Sequence, residues 1–360
     1  MLDSGMAELL DVLKAAVEQK ATDVFLTSGT PPMGMISGRL VALQGFQILK
    51  PNEVVNLLMG NLFEEQRRIL QEKLELDCSF QLSQLGRIRM NITTQKNGPH
   101  AVIRVIPAAI PHPEDLELPP AVTQLADLPR GLVLMTGPAA SGKTVTLACL
   151  LEEVNKKRDV HVVTIEDPIE FSFTPRHALF CQREIGTHTL SYASALKSVP
   201  RQRADVVLIG ELRDMETAEA ALHIAESGSL VFSTMSTHDS MQTIERFVNL
   251  FPVERHRQIS LRLAAVLKAA ISQILMPRAD GKGMACAREI MLSCPVIESA
   301  IREGKAPQIY GAIDKAAAQG MVNMDKSILR LVRNKIVTSQ TALEKCHYPE
   351  SLQNAMAALH

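Results

Sequence analysis

The sequence predicts an α/β protein built around a phosphate-binding loop, with a smaller α+β domain in front of it. Three observations support this. Residues 137–144 read GPAASGKT and fit the G-x-x-x-x-G-K-[ST] pattern of a nucleotide phosphate loop. Segments with strand and helix patterns alternate after the loop, which is typical of a mostly parallel sheet covered by helices. Five prolines between residues 107 and 120 indicate an extended linker between the two parts.

Composition limits the class of protein. A chain of 360 residues suffices for two or three domains. The net charge of −1 argues against a strongly basic surface, so we expect no nucleic-acid partner. None of the six cysteines has C-x-x-C spacing, which argues against structural zinc and favours free thiols in a reducing compartment. Because no run approaches a membrane span and no signal peptide is recognisable, we expect a cytoplasmic protein that reaches a membrane only through partners.

Residues 1–106 are predicted to form the small α+β domain. Its strands at 87–92 and 101–106 alternate polar and apolar residues, and the turn cluster at 96–99 predicts an antiparallel hairpin. The elements before them are a helix with apolar residues at Met6, Leu9, Leu10, Leu13 and Val17, strand-like segments at 23–27 and 33–43, and a helical region at 51–74.

Three arginines stand out in this hairpin. Arg87 and Arg89 are two residues apart and therefore leave the same face of their strand, and Arg104 comes from the partner strand. Two interpretations stay open. The face is a solvated polar surface, or it is a cationic patch offered to a nucleotide on another domain or subunit.

The part beyond the linker alternates strands and helices. The pattern predicts strands at 131–136, 160–165, 206–209 and 230–234, with helices at 145–157, 191–199 and 215–227. Beyond Pro252 it predicts only helices. An apolar stripe from Ile259 to Ile274 is interpreted as a long core helix rather than a membrane-surface helix. Further helices are predicted at 295–302, 308–318 and 324–332.

The phosphate loop carries the first candidate site residues. Gly137 and Gly142 permit positive φ and a close approach of the backbone. Lys143 is placed to reach the β- and γ-phosphates, and the Thr144 hydroxyl to ligate Mg2+. The start of the following helix adds a favourable dipole for an anion.

Acidic residues follow two of the predicted strands. Glu211 follows the strand at 206–209, and Glu166 and Asp167 follow the strand at 160–165. The carboxyl ends of parallel strands are where open α/β sheets bind ligands. A nucleotide hydrolase needs one carboxylate for Mg2+ and one for the attacking water, so the acids and the loop together predict a site for ATP and Mg2+.

At this point the chain resembles the type IV pilus retraction ATPases of the type II/IV secretion ATPase superfamily. The resemblance extends over almost the whole chain. The stretches that carry it are GRIR (86–89), GLVLMTGPAASGKT (131–144), IEDPIEF (165–171), QRE (182–184), DVVLIGELRD (205–214), TIERFVNLFP (243–252), and residues 30–33, 230–234, 288–291 and 320–321, the last two in predicted C-terminal helices.

The resemblance implies a fold and an assembly. It implies a PAS-like N-terminal domain (1–106), a linker (107–120) and a RecA-like ATPase domain with C-terminal helices (121–360). It further implies a homohexamer with ATP between the two domains and near a neighbouring subunit. Hydrolysis in such a ring drives pilin removal through an inner-membrane platform protein.

The resemblance also implies roles for single residues. Glu166 corresponds to the catalytic glutamate and Glu211 to the Walker B glutamate, which also serves Mg2+. Arg87, Arg89 and Arg104 correspond to arginines that approach the phosphates. The loop residues that would bind the nucleotide are Gly137, Ala140, Ser141, Gly142, Lys143, Thr144 and Val145.

Two departures from the family pattern bear on turnover. Ala140 stands where the family pattern has a glycine, and a helix-like φ at this position would tolerate the alanine. Ser236 occupies the histidine position of the histidine box, and His238 follows two residues later. Either His238 substitutes as a catalytic residue, or the γ-phosphate sensor is lost.

Several functions follow from this pattern. The first is a motor for pilus retraction. The second is a weakly active or inactive paralogue that binds nucleotide and modulates a main pilus ATPase. An assembly ATPase would carry a longer N-terminal region and a four-cysteine zinc insertion, and neither is present. A DNA translocase is opposed by the neutral charge and by the lack of a basic stretch with aromatic residues.

Overall fold

A computed structural model describes residues 4–36, 38–82, 85–106 and 109–357. Two compact units emerge from the chain's internal contacts. The first comprises Met1–Ala109 and Pro168–Ser172, and the second comprises Ile110–Asp167 and Phe173–His360. Pro107 of the predicted linker lies outside the described residues.

The first unit contains a six-stranded antiparallel sheet in its described part, with strand order β3-β2-β1-β6-β5-β4. The buried face of the sheet and three helices of this described part enclose one apolar core. The elements are α1 (Ser4–Glu18), β1 (Asp23–Thr27), β2 (Met33–Ile36), β3 (Arg39–Ala42), α2 (Pro51–Met59), α3 (Glu64–Lys73), β4 (Glu75–Leu82), β5 (Gly86–Gln95) and β6 (Gly98–Ile106).

The predicted hairpin is confirmed. β5 and β6 pair antiparallel, with Gln95 opposite Gly98 across the turn. Buried and half-buried residues alternate along most of β5, as the polar–apolar pattern predicts. The helical region at 51–74 is confirmed as two helices, whereas β4 was not predicted.

The second unit is organised around a seven-stranded sheet within the described residues, with order β13-β12-β7-β11-β10-β8-β9. All neighbouring strands are parallel except β12 and β13. Its strands and first helices are α4 (Pro120–Thr123), β7 (Gly131–Thr136), α5 (Lys143–Lys157), β8 (His161–Glu166), β9 (Leu179–Glu184), α6 (Tyr192–Ser198), β10 (Val206–Ile209), α7 (Met215–Glu226), β11 (Leu230–Met235), α8 (Ser240–Val248), α9 (His256–Val266), β12 (Leu267–Pro277) and β13 (Met284–Leu292). The last helices are α10 (Pro295–Arg302), α11 (Pro307–Lys315), α12 (Met324–Arg333), α13 (Ser339–Lys345) and α14 (Pro349–Ala357).

The long core helix predicted from Ile259 to Ile274 is wrong. α9 ends at Val266 and β12 starts at Leu267. Because β12 lies between β7 and β13 and is buried on both faces, it shows no alternation of polar and apolar residues. Residues 288–291, which were expected in C-terminal helices, lie in β13, and the edge strand β9 was not predicted.

The register of the parallel strands brings their carboxyl ends to one edge. Thr136 of β7 pairs with Met235 of β11, and Ser233 of β11 pairs with Ile209 of β10. Ile209 in turn pairs with Ile165 of β8. The residues that follow these four strands therefore share one edge of the sheet, which we call the carboxyl edge. No helix in the described part of the chain is long and apolar enough to cross a membrane.

Candidate nucleotide-binding site

The phosphate loop joins β7 to α5 at the carboxyl edge, and its first glycine is sterically required. Gly137 has a φ of 135°, and a Cβ there would lie 2.2 Å from the backbone oxygen of Gln273. Gly142 has a φ of 86° and caps the N-terminus of α5. The loop therefore passes directly onto a helix N-terminus, whose free N–H groups and dipole favour an anion.

Ala140 does not have the helix-like φ that would tolerate an alanine at this position. Its φ is 59°, in the left-handed region. An L-residue with a Cβ occupies this region at a cost of about 1–2 kcal/mol. The alanine that replaces a family glycine is thus a strained residue, exposed at the tip of the loop.

Lys143 lies against its own loop. Its Nζ donates to the carbonyl oxygens of Gly137 at 2.6 Å and Pro138 at 2.8 Å. Burial lowers the pKa of Lys143, and the Glu211 carboxylate partly offsets that effect. The ammonium and the carboxylate therefore interact electrostatically at this edge. Thr144 and Val145 form the first turn of α5 and are half-buried.

The loop is supported by Gln273 of the neighbouring strand β12, which the sequence did not identify as a site residue. Gln273 of β12 is 1% exposed, and its Nε2 donates to the Ser141 backbone oxygen at 2.7 Å. Its Oε1 accepts a hydrogen bond from Thr146 Oγ1 at 3.2 Å. The available signal was the polar Ser272-Gln273 pair inside an apolar run, but the run had been assigned to a helix.

Glu211 follows β10, and both of its carboxylate oxygens have partners. Ser236 Oγ donates to Oε1 at 2.6 Å, and Arg213 Nε donates to Oε2 at 2.8 Å. Burial opposes ionisation of this carboxyl, but the hydrogen bonds from Ser236 and Arg213 outweigh it and hold its pKa below the usual value. Glu211 is therefore ionised at neutral pH. Arg213 lies in the stretch DVVLIGELRD (205–214), but the sequence alone predicts no role for it.

Glu166 ends β8 and is buried, with 6% exposure. Its Oε1 accepts hydrogen bonds from Thr164 Oγ1 at 2.6 Å and Gln182 Nε2 at 3.5 Å. Asp205, at the amino end of β10, accepts a hydrogen bond from the His161 backbone N–H at 2.9 Å. Asp205 thus lies at the opposite edge of the sheet from the phosphate loop.

The surroundings of Tyr192 on α6 show that the acidic residues at the ends of β8 and β10 lie near the same side chain. Burial raises the pKa of its phenol, and the carboxylates of Asp167, Glu166 and Glu211 raise it further. A Cβ on Gly210 would lie 2.4 Å from the phenol oxygen. The glycine before Glu211 therefore leaves room for this hydroxyl.

His238 does not join this cluster by a hydrogen bond. Its side chain is exposed, and its backbone N–H donates to Gln242 Oε1 at 3.4 Å. The structure instead places Ser236, the residue at the histidine position, on Glu211. A catalytic role for His238 stays a prediction.

The three arginines lie in the first unit. Arg89 and Arg104 are directly opposite on β5 and β6, so their side chains share a face. Arg104 Nη2 forms an ion pair with Asp23 at 2.8 Å, and Arg87 Nη2 donates to Ser79 Oγ at 2.6 Å. This face of the sheet therefore carries both positively and negatively charged side chains. Its contact with a nucleotide stays a prediction.

A buried strand, a glycine-containing loop with a lysine, a helix N-terminus and carboxylates at neighbouring strand ends define a P-loop nucleotide-binding protein. Residues 6–353 match the type II/IV secretion system protein family, and the chain belongs to this family. The fold is that of a secretion ATPase, with a mixed α/β architecture and a parallel sheet at its core.

Individual relatives are similar over nearly their whole length. The chain is 37% identical over 344 residues to the type IV pilus retraction ATPase PilT of Pseudomonas aeruginosa, covering 96% of this chain and 99% of that protein. It is 34% identical over 336 residues to the type IV pilus ATPase PilU of the same species, covering 93% and 88%. The crystal structure of a pilus retraction motor PilT with bound ADP superposes with a TM-score of 0.88 at 36% identity, covering 96% of this chain and 98% of that one.

Proposed function

We propose that this protein is an ATPase motor that couples ATP hydrolysis to the retraction of type IV pili. The observation that carries the proposal is the similarity to a named retraction ATPase over 96% of this chain and 99% of the relative. Similarity confined to the nucleotide site would support only ATP binding. Similarity that includes the N-terminal sheet and the C-terminal helices supports the same mechanical task.

In this proposal the carboxyl edge binds and hydrolyses ATP. Lys143 leaves the two loop carbonyls and binds the phosphates, while the loop from Gly137 to Val145 surrounds them with backbone N–H groups. Glu166 orients the attacking water, and Glu211 acts as the Walker B carboxylate. The mutual electrostatic effect of Lys143 and Glu211 supports a shared site, because it indicates that the ammonium group and the carboxylate lie near each other.

The residues present fit a magnesium ion. Mg2+ prefers hard oxygen ligands and is commonly bound by one or two protein groups together with phosphates and water. The described residues contain no cluster of three or more His, Cys, Asp or Glu side chains that could hold a metal ion. The Thr144 hydroxyl and the ionised Glu211 carboxylate would hold the ion, which would neutralise charge developing on the phosphates.

The proposed assembly is the one that the family resemblance implies. We propose a homohexamer in which residues 1–106 form a PAS-like domain, residues 107–120 a linker and residues 121–360 a RecA-like domain. Arg87, Arg89 and Arg104 would approach the phosphates from the PAS-like domain. The ring would act in the cytoplasm at the inner membrane, through a pilus platform protein, and a paralogous pilus ATPase is a further partner under this proposal.

A second candidate function is supported by two observations. The strained Ala140 and the serine at the histidine position are departures at the phosphate loop and at Glu211. They favour a weakly active or inactive nucleotide-binding paralogue that modulates a main pilus motor. The similarity to PilU, a second pilus ATPase of the same species as PilT, is consistent with such a role.

Steady-state ATP hydrolysis by the purified protein, with its mass in solution, distinguishes the two functions. We expect a hexameric mass, Mg2+-dependent turnover, and loss of that turnover in Lys143→Ala. Lys157→Ala is the matched control, because it removes the same charge from the last turn of the same helix. Nucleotide binding without turnover would support the paralogue, and unchanged turnover in Lys143→Ala would exclude this site. In cells, pili that extend but fail to retract after gene deletion would support the motor.

A further inference from the structure

We propose that Ser236 is the positioning residue for Glu211 during ATP hydrolysis, in the place where the family carries a histidine. The inference rests on the proposed ATPase function and deepens it. The family resemblance implies a histidine or a nearby substitute, whereas the contacts of this chain point to the serine itself.

The geometry holds the Glu211 carboxylate from two directions. Ser236 directly follows β11, the neighbour of β10 in the sheet, and its hydroxyl donates to Oε1 at 2.6 Å. Arg213 binds the other oxygen, Oε2, through Nε at 2.8 Å and Nη2 at 2.7 Å. Because each oxygen has its own donor, both the position and the plane of the carboxylate are fixed.

Each donor has a different electrostatic consequence. Arg213 brings a full positive charge, and its side chain is 73% exposed. The Ser236 hydroxyl brings a hydrogen bond without a charge, so it orients Oε1 and leaves the negative charge of Glu211 available. A serine also does not titrate near neutral pH, as a histidine would. The pH dependence of turnover should then lack an imidazole contribution from this position.

The strand anchors Ser236 independently of Glu211. Two residues earlier, Thr234 Oγ1 donates to the Gly210 backbone oxygen at 2.6 Å, and Ser233 Oγ donates to the Ile209 oxygen at 2.7 Å. These bonds tie the end of β11 to the end of β10, directly before Glu211. Ser236 therefore approaches the carboxylate from a rigid support, which is what precise positioning requires.

Three other titratable side chains among the described residues interact with Glu211. Lys143 of α5 and Arg213 favour its ionised form, and they are opposed by burial. Tyr192 of α6 interacts with Glu211 and also with Asp167 and Glu166 of the neighbouring strand. Removing the Ser236 hydroxyl leaves these groups in place, so a change in kcat reports the loss of this one hydrogen bond to Glu211.

The test compares kcat with KM. Ser236→Ala should lower kcat about 10-fold, the effect of losing one hydrogen bond to a charged group, with little change in KM. Ser236→Thr keeps the hydroxyl and should restore kcat. Ser229→Ala is the matched control. It also removes a hydroxyl, one that donates to Ala204 O at 2.8 Å, at the opposite end of β11.

Three results would overturn the inference. The first is an unchanged kcat in Ser236→Ala. The second is an equal effect in Ser229→Ala, which would indicate general weakening of β11. The third is the same loss of kcat in His238→Ala but not in Ser236→Ala, which would assign the role to the histidine.

A binding measurement separates this inference from the proposed function. The affinity for a fluorescent ATP analogue is measured at one pH, with and without Mg2+. In Ser236→Ala, Mg2+ should strengthen binding less than in the wild type, because the Ser236 hydroxyl no longer holds Oε1 of Glu211 in place. If no variant turns over ATP but this loss appears, the motor function fails and the positioning role stands. If the loss is absent while the wild type turns over ATP, the positioning role fails.

Discussion

The contact between Gln273 and the phosphate loop gives the sharpest test of how the sheet supports the site. Gln273→Leu keeps a buried side chain of similar size but removes both polar atoms. The Ser141 carbonyl then loses its donor at 2.7 Å, and the Thr146 hydroxyl loses its acceptor at 3.2 Å. These two groups lie at the end of the loop and in the first turns of α5, so the loop loses its connection to β12.

The size of the effect follows from burial. Gln273 is 1% exposed and Thr146 is 2% exposed, so water does not readily replace the lost bonds. A buried polar group left without its partner costs about 1–3 kcal/mol. Because the Thr146 hydroxyl can rotate toward another acceptor, we expect a total of about 2–4 kcal/mol. If roughly half of this cost falls on the loop's binding conformation, nucleotide affinity should fall about 10-fold or more.

Two measurements check this expectation. Affinity is followed with a fluorescent ATP analogue, and stability is followed by urea unfolding. Ser272→Ala is the control, since Ser272 lies next to Gln273 and pairs with Thr136 Oγ1 at 2.6 Å between β12 and β7. It should lose about 1 kcal/mol of stability and keep its affinity within about twofold. Unchanged affinity in a folded Gln273→Leu protein, or equal losses in both variants, would refute the reasoning.

Three further changes probe other parts of the structure. Ala140→Gly removes the strain of a φ of 59° and should raise the unfolding free energy by about 0.5–1 kcal/mol, whereas Ala139→Gly, where φ is not positive, should lower it in the same urea titration. Arg262→Met removes a guanidinium that bridges two carboxylates of α7 at 3.0 and 2.7 Å. It should cost about 1 kcal/mol at low salt and less in about 1 M salt, and a salt-independent loss would contradict this assignment. Burial raises the pKa of the Glu289 carboxyl, partly offset by the Ser240 N–H, so stability is greatest with the carboxyl protonated and is lost as pH rises through the folded pKa. Relative to wild type, Glu289→Gln should therefore become more stable as pH rises above the ordinary carboxyl pKa, and a difference that stays constant with pH would exclude this cause.

The sequence predicts the fold well where one face of an element meets water or a turn residue marks its end. The β5–β6 hairpin shows alternation and a turn cluster, and both strands are confirmed. The strands at 160–165, 206–209 and 230–234 are confirmed to within one residue, because each is a short apolar run followed by polar residues. These signals are local, so a single sequence contains them.

The prediction of a helix across β12 was wrong for a physical reason. Val266 and Leu267 join a helix directly to a strand, without a glycine or proline between them. Both elements are apolar, and a run that is buried on both faces has no period that separates a strand from a helix. Edge strand β9 was missed for the opposite reason. Its Gln182, Arg183 and Glu184 are polar residues that a buried strand would not contain.

The candidate site likewise contains some groups that the sequence predicts and others that it does not. The phosphate loop and the acids are visible in the sequence because motif and strand end coincide. Asp205 and Glu211 flank the same strand. The sequence favours Glu211 because it follows the strand, and in the structure Asp205 lies at the opposite edge from the loop. The supporting contacts of Gln273 and Ser236 were not predicted, since each reaches across from a neighbouring strand more than 20 residues away in sequence. A sequence motif identifies the groups that can do chemistry. The strand order determines which other side chains hold them in position, and at Glu211 this chain uses a hydroxyl for that task.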